Sequence, residues 1–250
     1  MKVIVLCAGY ATRMGQLTLN TPKCLLPING TPYLSLFMEE IQTIKDVEDI
    51  YVITNDKFYT QLEDWKKSYK NNKNITVIND HTTCNENRLG AIGDAYYVIK
   101  NYGIDDDTFI TVADNYFDFR LNTVYELFKK SKVNYVVGKE YPDESYVAGK
   151  LGVLELDKNG KLVSMEEKPL KPKSLVGAMG LYFYTRKTVS RIKEYLDDKN
   201  NSPDAPGKYV AWLIGKEPVN VFVNKGEFVD FGSVENYEKI QALEKAKVRK

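Results

Sequence analysis

Three cysteines and one histidine are the only thiol and imidazole metal ligands in this 250-residue chain. Cys7, Cys24 and Cys84 show no Cys-x-x-Cys spacing and His81 stands alone, which argues against structural zinc and a disulfide framework and fits the reduced thiols of a cytoplasmic enzyme. No run of about 18 apolar residues occurs, so no span crosses a membrane. Residues 1–8 carry one lysine and a short apolar run, the pattern of a strand rather than a secretory leader. A formal net charge of +1 provides no global field to gather nucleic acid or anionic membrane, so selective anion binding must be local. The 18 tyrosines are scattered and form no basic-aromatic platform for nucleic acid. Two glycine patterns for phosphate binding are also missing. Ala11 takes the second glycine position of Gly-x-Gly-x-x-Gly, and no Gly-Lys-Ser/Thr follows, which disfavours dinucleotide-binding and P-loop enzymes.

What is present reads as α/β. Apolar runs of strand length recur at 3–6, 50–54, 75–78 and 109–113. Helical patterns lie between them at 32–41, with Thr31 as cap and Pro32 at the first position, and at 58–69 and 91–100. Continuous apolar strands alternating with helices predict a doubly wound, Rossmann-like, mostly parallel mixed sheet with helices on both faces. After Asp114 the texture changes: 151–169 alternates apolar and polar residues around Asn159-Gly160, a hairpin signal, and 177–185 reads as another strand of a β-rich insertion. The chain returns through a helix at 187–196, a loop at 197–207 and a strand ending at Asp230. Ser233 then caps an amphipathic helix with Val234, Tyr237, Ile240 and Leu243 on one face. No Gly/Ser-rich linker, repeat or low-complexity tract divides the sequence, so one domain over 1–250 is expected, in three parts at 1–113, 114–230 and 231–250, the last a C-terminal helix. The final KAKVRK reads as a solvated helix end.

In open α/β sheets ligands bind at the carboxyl edge of the strands, and the long segment 7–27 leaves the first strand there. Gly9 and its neighbours can turn main-chain N–H groups toward an anion, Thr12 adds a hydroxyl, Arg13 a planar fork and Lys23 a point charge. Together they read as a polyphosphate cradle, against the alternative of a surface loop with incidental basic residues.

LCAGYATRMGQLTLNTPKCLLPINGTP resembles the signature of the sugar nucleotidyltransferases, and VADNYF, GVLELDKNGKLVSMEEKP, MGLYFY and FVDFGSVENY continue the resemblance in the family's order over nearly the whole chain. The resemblance implies attack by a sugar-1-phosphate oxygen on the α-phosphorus of a nucleoside triphosphate, giving an NDP-sugar and pyrophosphate with Mg²⁺ as cofactor, and it makes 1–113 the nucleotide-binding half and 114–230 the mainly sugar-binding part. It implies that Arg13 clamps the triphosphate, that Lys23 grips phosphate oxygens and that Leu6, Ala8, Gly9 and Thr12 lie against the nucleotide. Asp114 and Asp230 match the metal-ligating positions. Lys168 would contact the sugar phosphate, Glu167 the sugar hydroxyls, Gly152 would let the backbone approach the sugar, and Tyr182 would wall its pocket.

Counting back from Gly90, the glycine that opens a helix beneath the base, Asn85 falls at the base-reading position, where an amide suits the imide edge of thymine or uracil. dTTP or UTP is therefore the favoured donor, with cytidylyl or guanylyl transfer, or a phosphocholine-like acceptor, as the alternative. Arg88 replaces the family's proline and Ala113 its glycine, departures near the nucleotide. His81 reads as a loop residue rather than a catalyst. A non-catalytic nucleotide or sugar-phosphate sensor is the competing class, disfavoured because Arg13, Lys23, Asp114, Lys168 and Asp230 are all present. Homo-oligomers are common among such relatives. No hexapeptide repeats follow the last helix, so no acetyltransferase β-helix is expected.

Overall fold

The computed structural model describes residues 1–10 and 14–247. The strands are β1 Lys2–Leu6, β2 Pro27–Ile28, β3 Thr31–Pro32, β4 Asp49–Thr54, β5 Asn74–Asn79, β6 Thr108–Val112, β7 Asn115–Phe117, β8 Asn134–Glu140, β9 Gly152–Leu156, β10 Leu162–Glu167, β11 Val176–Tyr184, β12 Val219–Asn224 and β13 Phe228–Asp230. The helices are α1 Gln16–Leu19, α2 Tyr33–Gln42, α3 Asp56–Ser68, α4 Ala91–Tyr102, α5 Leu121–Ser131, α6 Arg186–Asp197, α7 Pro206–Leu213 and α8 Val234–Lys247.

Among the described residues, nine strands form one mixed sheet, with β10-β9-β11-β6-β1-β4-β5 as its main path and β8, carrying β12, on β11. The block β5-β4-β1-β6 is parallel throughout, and β11 joins β6 antiparallel through Leu181–Thr111 to Tyr184–Thr108. Successive residues of a strand face opposite sides. Val3 and Val5 accordingly enter one apolar core, under α2, α3, α5 and α8, while Ile4 and Leu6 enter the other, under α4, α6 and α7. This is the expected α/β architecture, covered on both faces.

The local readings differ from the structure in four places. Pro32 does not open the second helix but precedes it, because Thr31 and Pro32 pair with Ile28 and Pro27 in a short hairpin. The segment 197–207 read as loop contains the start of α7, with Pro206 at its first turn. The region after Asp114 also holds α5, whose Leu121, Val124, Tyr125 and Phe128 are buried at helical spacing. On α8, Tyr237 and Ile240 are buried and Leu243 packs beside them, but Val234 is 47% exposed, off the face that the helix packs against β13 and β2. Ser233 does cap it, its Oγ accepting from the Asn236 N–H at 3.2 Å.

Candidate active site

β1 delivers its last residues to the carboxyl edge of the sheet, and three bonds hold them there. The Cys7 N–H donates to the Ile53 carbonyl at 2.8 Å, Thr54 Oγ1 to the Cys7 carbonyl at 3.2 Å and Asn55 Nδ2 to the Ala8 carbonyl at 2.9 Å. Leu6, Ala8 and Gly9 thereby line a cavity together with Lys23, Gly90 and Asp114. Thr12 and Arg13 lie outside the described residues. The cradle returns through a 3₁₀ turn, Lys23–Leu25, and Lys23 Nζ sits 3.3 Å from Asp114 Oδ2.

Asp114 follows β6 and Asp230 ends β13, 116 positions later in the chain. β13 pairs antiparallel with β7 so that Asp230 registers with Asn115, and the Phe231 N–H donates to the Asp114 carbonyl at 2.8 Å. The two carboxylates are thus on adjoining backbone at one sheet edge. The ledge is braced from beneath: Asn115 Nδ2 donates to the Met179 carbonyl at 2.9 Å, and the Tyr33 hydroxyl donates to the Asn115 carbonyl. Asn236 Nδ2 donates to Asp230 Oδ1 and orients that carboxylate. Among the described residues no group of three or more His, Cys, Asp or Glu side chains could hold a metal. Two hard carboxylate donors, with the rest of the shell left to phosphate oxygens and water, is the pattern that suits Mg²⁺.

Asp230 also lines a second, larger cavity of about 680 Å³, within the usual range for small-molecule sites. Lys168, Tyr141, Gly149 and Lys150 share its wall. Burial and the nearby Asp230 charge push the Tyr141 hydroxyl up, keeping it a neutral donor. Lys168 has φ +49°, a left-handed conformation rarely taken by a residue with a side chain, and its N–H donates to the Leu151 carbonyl at 3.1 Å. Strain of this kind is retained where the surrounding structure requires the side chain to point one way.

The neighbouring Glu167 behaves differently. It lines neither cavity; its Oε1 accepts from the Gly207 N–H at 3.0 Å, at the start of α7. Burial pushes its carboxyl up, opposed by that N–H and by the charges of Lys168 and Lys208. Gly207 leaves the space it occupies, since a Cβ there would lie 2.2 Å from Glu167 Oε1, while a Cβ on Gly152 would lie 2.5 Å from Met165 Cε. Tyr182 is 4% exposed and stacks on Tyr184 at 5.9 Å within the core, with Glu167 nearby.

Asn85 is not among the residues that line the first cavity; it is exposed in the 3₁₀ turn Asn85–Asn87, and its carbonyl accepts from Arg88 Nη1 at 3.1 Å. Arg88 reaches past it to Asp204, Nε to Oδ1 at 3.2 Å and Nη2 to Oδ2 at 2.8 Å. Gly90 precedes α4 with φ +81°, and the 203–204 backbone rests directly on it. His81, exposed with φ +62°, is a turn residue whose N–H donates to Asn79 Oδ1 at 2.7 Å.

Sequence reasoning passed over Asp80, Asp94, Asp204 and Lys208. The signal for Asp204 was only its place before Ala205-Pro206, a helix start read as loop. Asp94 sits among apolar helix residues where a carboxylate is out of pattern, and that mismatch could have flagged it.

Residues 2–247 match the family model described as nucleotidyl transferase. Among relatives, a Sulfolobus acidocaldarius protein provisionally named as a mannose-1-phosphate guanyltransferase is 28% identical over 243 residues, covering 96% of this chain and 62% of its own. The bifunctional protein GlmU of Methanocaldococcus jannaschii is 29% identical over 194 residues, covering 78% of this chain and 42% of its own. The chain therefore spans less than two thirds of the length of these relatives. A Neisseria meningitidis glucose-1-phosphate thymidylyltransferase is 24% identical over 230 residues, 85% of this chain and 77% of its own. Among solved structures, UDP-glucose pyrophosphorylase in complex with UDP-glucose superposes with a TM-score of 0.81 at 22% identity over 98% of both chains, a likeness of fold. With a match running from β1 to the end of α8, the chain belongs to the nucleotidyl transferase family.

Proposed function

We propose that the chain transfers a nucleotidyl group from a nucleoside triphosphate to a sugar-1-phosphate, releasing pyrophosphate. The observation that carries this reading is the Asp114–Asp230 ledge, with Lys23 on the side of the first cavity and Lys168 in the second. A phosphate monoester has a second pKa of roughly 6 and is largely dianionic at neutral pH, so the acceptor oxygen needs no general base. What it needs is to be held in line with the α-phosphorus against the repulsion of two anions, and catalysis becomes positioning and charge neutralisation. In this reading Lys23 grips triphosphate oxygens and Lys168 the acceptor phosphate. Arg13 is assigned the pyrophosphate end by its motif position. Asp114 and Asp230 would hold Mg²⁺, which when bound supplies neutralisation of phosphate charge.

Leu6, Ala8, Gly9 and Gly90 are the proposed nucleotide-side contacts, and Gly152, Glu167 and Tyr182 shape the sugar side from behind Lys168. For the donor, the Asn85 amide favours dTTP or UTP. The provisional name of the Sulfolobus acidocaldarius relative favours GTP as the second reading. One continuous catalytic unit and a cytoplasmic place of action, in keeping with three free cysteines, belong to the same proposal.

The test is pyrophosphate release across the nucleoside triphosphates and several sugar-1-phosphates, with and without Mg²⁺. One donor row responding only with the divalent ion supports the reading. Equal turnover without metal would refute the proposed roles of Asp114 and Asp230, and silence in every combination would favour a binding protein.

A further inference from the structure

Two acidic side chains beneath the first cavity play no part in the chemistry above. Asp80 directly follows β5 and Asp94 lies in the first turn of α4, and each is 5% exposed. Asp80 is anchored on one side: its N–H donates to the Thr54 carbonyl at 2.8 Å, and its Oδ1 accepts from the Thr82 N–H at 2.7 Å and from Thr82 Oγ1 at 2.8 Å. The other oxygen, Asp80 Oδ2, and Asp94 Oδ1 are both buried with no donor among the described residues. The two carboxyl groups lie within hydrogen-bond reach of each other. Two ionised carboxylates sharing a dry site repel strongly, and a single proton between them turns the clash into a strong acid–carboxylate bond.

The segment between these residues, 81–90, contains Asn85, Arg88 and Gly90, the nucleotide-side residues. We propose that Asp80 and Asp94 share one proton, and that this bond is the positioning device tying together the two ends of the nucleotide-side loop, so that donor-nucleotide affinity depends on it. The inference rests on reading the first cavity as the nucleotide site, and Asp94 lines that cavity. Burial first, and then the neighbouring Asp80 charge, push the Asp94 carboxyl up to about 8, so the proton is held at neutral pH. The other charged or titratable groups facing the pair are His81 from the loop, Tyr10 from the cradle, Asp204 with its partner Arg88, and Lys23 and Asp114 across the cavity. Among the described residues no cationic group bonds either carboxylate, so the proton is the pair's own link.

The experiment measures equilibrium dissociation constants for dTTP, UTP and GTP from pH 6 to 10 on the full chain, without acceptor. The variants are Asp94→Asn, Asp94→Ala and His81→Gln. The wild-type constant for the bound nucleotide should rise above pH 8 by up to tenfold per unit as one proton leaves. Asp94→Asn donates an amide N–H to Asp80 without needing a proton, and its constant should stay low and flat. Asp94→Ala should bind weakly at every pH, and His81→Gln should follow the wild type. In parallel, ¹³C NMR of aspartate carboxyls on the nucleotide-free chain should show one signal titrating near pH 8 that vanishes in Asp94→Asn. If no carboxyl titrates above pH 6, proton sharing is overturned. If the signal is present but Asp94→Asn keeps the wild-type pH profile of binding, or no nucleotide binds at all, the positioning role is overturned. Intact pH-dependent binding with no pyrophosphate release would instead sink the transfer reaction and leave this inference standing.

Discussion

Replacing Gly90 with alanine isolates a contact on which the wall of the first cavity is built. The backbone there, φ +81° and ψ 159°, lies in a region open almost only to glycine, and forcing a side chain into it costs about 1–3 kcal/mol. The added Cβ would also meet Asp204 Cα at 2.7 Å, Asp204 N at 2.8 Å and Pro203 C at 2.8 Å, all main-chain atoms. Ordinary contact begins near 3.4 Å, so the 203–204 backbone must retreat by about 0.7 Å. That retreat strains the Ile92 N–H to Pro203 carbonyl bond, 2.8 Å, and the Arg88–Asp204 pair. Overpacking of this sort costs about 1–3 kcal/mol, and the exposed ion pair adds little. A total near 3 kcal/mol corresponds to a fall in Tm of about 6–12 °C for a chain of this size. Gly103, at the other end of the same helix, is the control: its φ is +61°, but a Cβ there meets nothing within 4 Å. Gly103→Ala carries only the conformational cost of about 1–2 kcal/mol. Calorimetry and nucleotide titration of both variants should show Gly90→Ala melting several degrees below Gly103→Ala and binding nucleotide more weakly. Equal melting of the two, with equal nucleotide affinity, would refute the argument that the 203–204 backbone shapes this site.

Four further outcomes follow from the same geometry. Asp114→Asn and Asp230→Asn should each lower kcat by about 10²–10³ in the pyrophosphate assay with little change in Tm, since neither carboxylate is part of the core. Lys168→Met should raise KM for the sugar phosphate by tenfold or more and leave nucleotide binding unchanged, as removal of a charge-assisted bond of about 1.5–3 kcal/mol requires. Phe183 is fully buried and stacks on Phe109 at 4.3 Å, so Phe183→Ala should lose about 3–5 kcal/mol in urea unfolding. Lys2 and Asn74 hold the Asp49 carboxyl below its ordinary 3.8, so the stability it contributes is present above pH 4 and disappears as pH falls through the lowered value. Lys2→Met should flatten that acid limb in a pH series of thermal melts.

Much of the fold could be read from local pattern. The runs at 3–6, 50–54, 75–78 and 109–113 became β1, β4, β5 and β6 within a residue or two, because a strand buried on both faces must be apolar along its whole length. The hairpin around Asn159-Gly160 became β9 and β10 for an equally local reason, a turn that tolerates left-handed backbone. The reading failed where neighbours decide. Pro32 reads as a first helical residue but pairs with β2, and Val234 reads as buried but lies off the face that α8 packs against β13 and β2.

The site divides along the same line. Residue types and their order along the chain determined the family and the expected ligand class, since those rest on side-chain chemistry that each position carries by itself. Only the tertiary structure decided that Asp114 adjoins Asp230, that Arg88 pairs with Asp204, and that Asp80 faces Asp94. Each of these pairs is brought together by strand register or by one loop resting on another. No periodicity or local propensity encodes such contacts, because their energy appears only once the sheet has formed.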